Sequence, residues 1–268
     1  MSKDFTASEV QALIRPHTGA VTGFERTARG FMSDLTAIVD CERGPFFVKA
    51  VRNSPGGRRD SITREKQVNA FVWPISPALR WHVEDGSWVV LGFEAVEGRP
   101  ANFGPDSADL RSIVELVECI GRLKLPPVAE GWPETRWDPF VRNDSEAEFF
   151  RGETLLHTDI NPSNLLVGES GMWAVDWAWP TRGGRPSSIR PSWIFNWWPP
   201  DTVPSLRSRG GAQCTAWAEA EPKALDEFAA AQLRMYRTAV GRKPDSPWLH
   251  AMVAAGQSWV EHRGVTVD

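Results

Sequence analysis

Apolar positions change period along the chain, and the changes mark its elements. Val10, Leu13 and Ile14 share one face of a segment that Thr6-Ala-Ser-Glu9 opens as a capping box and that ends before Gly19, which predicts a helix. Val21 to Val51 predicts a β-meander, with one strand from Phe24, a second over Leu35 to Val39 and a third over Phe46 to Val51. Helical spacing returns over Ser61 to Phe71, where Ile62, Val68, Ala70 and Phe71 are apolar. Trp81 to Val83 and Trp88 to Phe93 predict two antiparallel strands turning at Glu84-Asp-Gly-Ser87. Leu110, Ile113, Val114, Leu116, Val117 and Ile120 give a helix opened at Pro105-Asp-Ser107 a broad apolar face, and Leu125-Pro-Pro stops it. Glu130 to Asp144 reads as loop, with Trp132 and Trp137 as cleft wall or packing; Leu225 to Val240 and Trp248 to Val260 are two final helices.

Polar residues interrupt this pattern most sharply between Leu155 and Trp177. Two leucines run into His157, Asp159 and Asn164; Leu165 to Val167, a turn over Gly168 to Gly171, and Met172 to Val175 then lead to Asp176. This predicts a strand, a polar loop and a hairpin with an acidic residue at its exit. Such a hairpin can gather Asp159, Asn164 and Asp176. Two carboxylates and an amide oxygen are hard donors suited to Mg²⁺, and a carboxylate left off the metal can orient a hydroxyl and accept its proton. A metal-free acidic turn would leave the interruption of apolar strands unexplained.

Lys49 stands on a strand otherwise made of buried residue types, so it either has a partner or lies on an edge strand facing solvent. Glu65, among Arg64, Lys66 and Gln67, is either that partner or a solvated helical glutamate. Arg58 and Arg59 read as a solvated loop.

A chain of 268 residues can bury a sizeable core, and its mild net charge of -4 argues against a dedicated nucleic-acid or membrane-surface binder. Cys41, Cys119 and Cys214 are isolated, which argues against a disulfide framework or zinc site and makes a reducing cytoplasm the expected location. No apolar run is long enough to span a bilayer, and Met-Ser-Lys-Asp-Phe-Thr does not read as a secretory leader.

The wording His157-Thr-Asp-Ile-Asn-Pro-Ser-Asn164-Leu-Leu-Val, followed by Ala174-Val-Asp-Trp177, resembles the aminoglycoside phosphotransferase family, the small-molecule kinases of the protein-kinase-like fold. The resemblance implies an α+β bilobal fold, with an N-terminal nucleotide-binding lobe over 1–97 (an antiparallel sheet plus a helix) and a mainly helical catalytic and substrate-binding lobe over 98–268. By position, Asp159 is the catalytic aspartate, His157 braces its loop, and Asn164 and Asp176 hold Mg²⁺. Gly30 and Ser33 fall in the loop that covers the nucleotide phosphates, although the three-glycine pattern of protein kinases is missing. Lys49 grips the α/β-phosphates and Glu65 fixes Lys49. The Glu94 carbonyl and the Val96 N–H read the base of ATP or GTP, with Phe93 behind the pocket.

The implied reaction moves a γ-phosphoryl group to a hydroxyl of a small molecule: an aminoglycoside or other antibiotic, or alternatively a sugar or nucleoside-like metabolite. Glu146, Glu148, Glu219, Glu221, Asp226 and Glu227 are acidic candidates for binding a polycation, or else solvated helix faces. Arg182, Arg185, Arg190, Arg207 and Arg209 oppose a polycation, while Trp193, Trp197 and Trp198 suit stacking on a ring. A non-catalytic nucleotide-binding scaffold is the rival from another class; the complete set of Lys, Asp, Asn and Asp argues against it. The short loop expected after Asp176 disfavours a protein kinase.

Overall fold

A computed structural model describes residues 2–27, 33–104, 106–169, 171–183 and 220–268. Gly30, Arg185, Arg190, Trp193, Trp197, Trp198, Arg207, Arg209, Cys214 and Glu219 lie outside these residues. The chain divides into two units, Met1–Pro100 with Ser163–Pro180, and Ala101–Pro162 with Thr181–Asp268.

The first unit is built on five antiparallel strands in the order β1-β2-β3-β5-β4. They are β1 (Val21–Arg26), β2 (Leu35–Cys41), β3 (Phe46–Arg52), β4 (Leu79–Glu84) and β5 (Trp88–Glu94). Helix α1 (Ser2–Thr18) begins upstream of the expected capping box, so Thr6 lies inside it. Val10 and Ile14 of α1 pack on Leu35, Ala37, Val39, Val48, Ala50, Trp88 and Val90. Burial of each such aliphatic side chain stabilises the fold by about 1.5–3 kcal/mol. Strand alternation turns Phe47 and Val51 to the opposite face, where Ile62 of α2 (Gly57–Val72) meets Val51, Val89, Leu91 and Phe93. Lys49 has the parity of that second face and sits on the middle strand of the sheet, which rules out the edge-strand alternative.

Helix α2 starts four residues before the expected Ser61, so Arg58 and Arg59 belong to its first turn. They are not simply solvated: Arg58 Nη1 lies 2.6 Å from Asp34 Oδ1, and Arg59 Nη2 lies 3.0 Å from Glu84 Oε1. Such half-exposed pairs contribute at most about 1 kcal/mol each.

Gly92 is required by its neighbour. It pairs with Trp81 across β4 and β5, and a Cβ placed on it would meet the indole at 2.1 Å. Gly92→Ala is expected to destabilise the protein by about 1–3 kcal/mol, read as a lower urea midpoint with an unchanged m-value. An unaltered midpoint would show that the indole can shift at no cost.

Three further strands complete this unit: β6 (Arg99–Pro100), β8 (Leu165–Gly168) and β9 (Gly171–Ala174), in the order β6-β8-β9. The hairpin forms where expected, although both strands reach one residue into the expected turn, where Gly168 pairs with Gly171 at φ 136°, and β9 ends at Ala174, one residue before the expected Val175.

The second unit holds α3 (Leu110–Gly121), the one-turn α4 (Asp144–Ala147), strands β7 (Thr154–Leu156) and β10 (Thr181–Gly183), and helices α5 (Pro222–Arg242) and α6 (Pro247–His262). α3 begins a turn after the expected opening and ends before Leu125-Pro-Pro. Strand β10 lies in the stretch after Asp176 that reads only as a short loop; it pairs antiparallel with β7, Thr181 opposite Leu156. Trp137 packs with Phe150, Leu156, Phe228 and Ala231, so it is core and not cleft wall. α5 and α6 meet through Ala229, Leu233, Trp259 and Val260.

Two of the acidic candidates are also redefined. Glu146 and Glu227 are buried: Arg142 Nε lies 2.7 Å from Glu146 Oε1, and its Nη2 lies 3.6 Å from Glu227 Oε1. Burial works against the charge of Glu146, and its bonds from Arg142 outweigh that and hold its carboxyl below the usual range. Burial and the neighbouring Glu146 push the Glu227 carboxyl up. Asp226 is bound to Arg263 Nε at 2.6 Å. Among the described residues, no helix is long and apolar enough to cross a membrane.

Candidate active site

The most heavily constrained charge in the first unit is Lys49. Its Nζ donates to Glu65 Oε2 at 2.6 Å and to Asp176 Oδ1 at 2.7 Å. Lys49 is 4% exposed and Glu65 5%, so both charges have left water and each depends on the other. Burial alone would lower the lysine pKa; the two carboxylates overcome it and raise it above its ordinary value. Glu65 is pushed up by burial and, more weakly, by Asp176, while Lys49 and a backbone bond from Trp177 pull it back. The ammonium group therefore stays charged, between one carboxylate that is sealed in and another that is a third exposed.

Asp176 reaches this point by hairpin register. Leu165 pairs with Ala174, and the Val175 N–H bonds the Asn164 carbonyl at 2.9 Å, so Asn164 and Asp176 stand at the same end of β8 and β9. Trp177, 2% exposed, donates its indole N–H to the Ala174 carbonyl at 3.1 Å and anchors the exit turn. Among the described residues, Asp176 is the one non-glycine with positive φ, at 63°. That left-handed backbone is tolerated best by Asn and Asp among residues with a side chain, and it costs free energy that the surrounding contacts must offset.

Asn164 is buried and Asp176 is half-buried. One amide and one carboxylate are too few for a closed metal cage, and among the described residues no three His, Cys, Asp or Glu side chains cluster as one. They do match what Mg²⁺ takes from proteins, which is one or two hard oxygen donors, the remaining positions going to water and phosphate. The Lys49 bond uses only Oδ1 of Asp176.

The Asp159 loop belongs to the second unit. It leaves β7 at Leu156 and passes through His157, which is buried. The Asp159 N–H points at His157 Nδ1, 3.3 Å away, and Asn161 Nδ2 donates to Asp159 Oδ1 at 3.1 Å and to its carbonyl at 3.2 Å. A nitrogen that accepts carries no proton, so the ring hydrogen of His157 sits on Nε2.

The other expected residues are placed as follows. Ser33 has a buried Oγ with no hydrogen-bond partner among the described residues. Glu94 closes β5, its N–H on the Ala78 carbonyl and its carboxylate 2.8 Å from Arg80 Nη2. Val96 follows in the irregular stretch before β6, and Phe93 lies buried near Phe47. Glu134 and Arg136, within the stretch expected to be loop, are bound to each other, and Arg136 also bonds the Asp159 loop. Their spacing carries no signal, because a glutamate buried within a loop looks like any other loop glutamate.

Comparison with solved structures agrees with this architecture. A choline kinase from Streptococcus pneumoniae superposes with a TM-score of 0.65 at 10% identity, over 97% of this chain and 99% of that one. A microcompartment-associated aminopropanol kinase gives 0.63 at 13% identity, over 98% and 100%. A thermostable mutant of an aminoglycoside phosphotransferase, in ternary complex with AMP-PNP and hygromycin B, gives 0.59 at 14% identity, over 94% and 98%. The chain has the kinase-like fold of small-molecule phosphotransferases. At these identities the likeness is one of fold. No family model matches the sequence, and no curated protein matches it. The α+β architecture and the kinase-like fold expected from the motifs are thus present.

Proposed function

We propose that the protein transfers the γ-phosphoryl group of ATP or GTP to a hydroxyl of a small molecule. The observation that carries this reading is the buried Lys49 held between Glu65 and Asp176, with Asn164 at the same end of the hairpin as the second carboxylate. A purely structural ion pair needs neither a half-exposed carboxylate at positive φ nor an asparagine at the same end of the hairpin. The Ser33 hydroxyl, which has no partner among the described residues, adds a donor of the kind a phosphate would use.

In this reading Lys49 and Ser33 orient the phosphates, and Glu65 fixes Lys49. Nucleotide binding exchanges the Lys49–Asp176 bond for bonds to phosphate oxygens, freeing Asp176 for Mg²⁺, which Asn164 and Asp176 would hold. When bound, the metal ion neutralises charge on the phosphates. Asp159 accepts the proton of the acceptor hydroxyl. The acceptor oxygen forms its bond to the γ-phosphorus as the bond from that phosphorus to the β-bridging oxygen breaks, and the nucleoside diphosphate leaves with that electron pair. Glu94 and Val96 present backbone groups to the base.

The acceptor belongs to the same proposal: a hydroxylated antibiotic or metabolite. Choline, an aminopropanol and hygromycin B are named with the solved structures of this fold and set the range to screen. Glu146 and Asp226 are already held by arginines, which counts against these acidic residues as the binding surface for a polycation.

The test is Mg²⁺-dependent transfer from ATP and GTP to a panel of amino alcohols, aminoglycosides, other antibiotics and sugars, read as a mass increase. A phosphorylated acceptor supports the reading; tight Mg-nucleotide binding with no transfer to any acceptor favours the scaffold. Asp176→Ala is expected to weaken Mg²⁺-dependent nucleotide binding by roughly tenfold or more, measured by titration with and without chelator. Unchanged binding would remove Asp176 from the metal.

A further inference from the structure

Glu134 is 1% exposed and lies in a loop, where an ionised carboxylate must be fully bonded. Its bonds run in one direction. Oε1 accepts from the Arg136 N–H at 2.9 Å and from Arg136 Nε at 3.1 Å, while Oε2 accepts from Arg136 Nη2 at 3.1 Å and from the Thr181 hydroxyl at 2.8 Å. The fork of Arg136 is thereby fixed along its Nε–Nη2 edge, leaving Nη1 to donate to the Thr158 carbonyl at 3.3 Å. The Glu134 backbone is tied as well, its N–H to the Arg182 carbonyl at 2.8 Å and its carbonyl to Arg151 Nη1.

The Thr158 carbonyl belongs to the same peptide unit as the Asp159 N–H, which points at His157 Nδ1. Both polar groups of this one plane are therefore engaged, the carbonyl by a guanidinium and the N–H by an imidazole. Rotating the plane is what would swing the Asp159 side chain, and a peptide held at both ends resists that rotation. Thr181 pairs with Leu156, the residue from which the loop departs, so Glu134 links the root of the loop to its tip.

We propose that Glu134 and Arg136 form a positioning brace that sets the orientation of Asp159. Arg136 acts through the Thr158–Asp159 peptide and touches no reacting group. The proposal rests on the phosphotransfer reading for its consequence, although not for its geometry.

Two measurements on the full chain separate the two ideas. In the first, hydrogen exchange followed by mass spectrometry compares wild type with Arg136→Met and Arg136→Lys, using fragments that span Leu156 to Asn161. Arg136→Met leaves the buried Glu134 carboxylate without its guanidinium and costs stability, so the α5 and α6 fragments serve as the check that it folds, and Arg136→Lys, which keeps a cation beside Glu134, and Glu134→Gln are the milder variants. The brace predicts exchange at least tenfold faster in this fragment for Arg136→Met, partial recovery for Arg136→Lys, and no change in fragments of α5 and α6. Unchanged exchange in the loop overturns it, whatever the protein's activity.

In the second, steady-state transfer, or slow hydrolysis of the nucleotide by water, is measured for the same variants. A kcat lowered by about 10- to 100-fold at unchanged KM for nucleotide supports the brace; a change in KM alone, or kcat within twofold of wild type, overturns it. A wild-type protein that turns over neither acceptor nor water defeats the phosphotransfer reading, and the exchange result then decides the brace by itself.

Discussion

Asp159→Asn should lower phosphoryl transfer by about 10²- to 10⁴-fold, the range that loss of a positioned proton acceptor costs, while Mg-nucleotide affinity stays as in wild type. The amide keeps the size of the carboxylate and can still accept from Asn161, so the loop should keep its shape. What it loses is the ability to take a proton. The separation follows from placement: Asp159 is carried by the β7 loop of the second unit, and Lys49, Glu65, Asn164 and Asp176 all belong to the first. Nucleotide titration and initial rates on the same preparation make the comparison. A turnover close to wild type would remove Asp159 from the chemistry, and an equal loss of nucleotide affinity would assign it to binding instead.

Lys49→Met should be the most destabilising single change in the site. Removing one partner of a buried ion pair leaves the other charge uncompensated, at about 3–5 kcal/mol, a large share of the roughly 5–15 kcal/mol that holds a domain folded. The cost should depend on pH, with a sign that can be worked out. Glu65 is buried and its carboxyl is already pushed above its ordinary value of 4.5; without Lys49 it is pushed further, since the largest opposing influence has gone. A carboxyl raised in the folded state binds protons more readily there than in the unfolded chain, so stability rises as pH falls through the folded value. The destabilisation should therefore be greatest at high pH and shrink as pH falls through the raised Glu65 value, below which Glu65 is a neutral acid. Urea midpoints across that range test it: a pH-independent deficit would mean that Glu65 finds another partner or reaches water. Nucleotide binding should weaken in the same variant, since the ammonium group is also the proposed phosphate grip.

Much of this was legible in the residues, for reasons that differ by element. Strands β2, β3 and β5 carry β-prone apolar runs, so they could be placed from spacing alone, whereas β1 and β4 alternate with polar residues and begin at Val21 and Leu79, ahead of the expected Phe24 and Trp81. The Asp159-to-Asp176 motif stood out because polar residues broke apolar strands at fixed intervals. Lys49 was conspicuous as a charge among buried types; deciding between a partner and an edge needed the strand order, which only long-range pairing supplies. Arg58 and Arg59 were misjudged because Gly56 and Gly57 suggest a loop, whereas helix α2 begins at Gly57. Strand β10 is three residues long and gets its identity from β7, so local sequence has nothing to say about it. Glu134 is illegible for the same reason: its burial is a property of what surrounds it.

The order in which the chain is made bears on the Lys49 site. The first unit takes Ser163–Pro180 from beyond the whole of Ala101–Pro162, so its two carboxylates are synthesised far apart in time. While the N-terminal hundred residues emerge from the ribosome, Lys49 has Glu65 available but not Asp176, and β6 lacks the strand it pairs with. The nascent five-stranded sheet can collapse around a single ion pair, yet the first unit becomes complete only after β7 and the Asp159 loop have been translated. A fragment cut at Pro100 would thus carry the lysine and the nucleotide-side sheet without the hairpin that delivers Asp176, and maturation of the site waits on synthesis of the loop with which it is proposed to work.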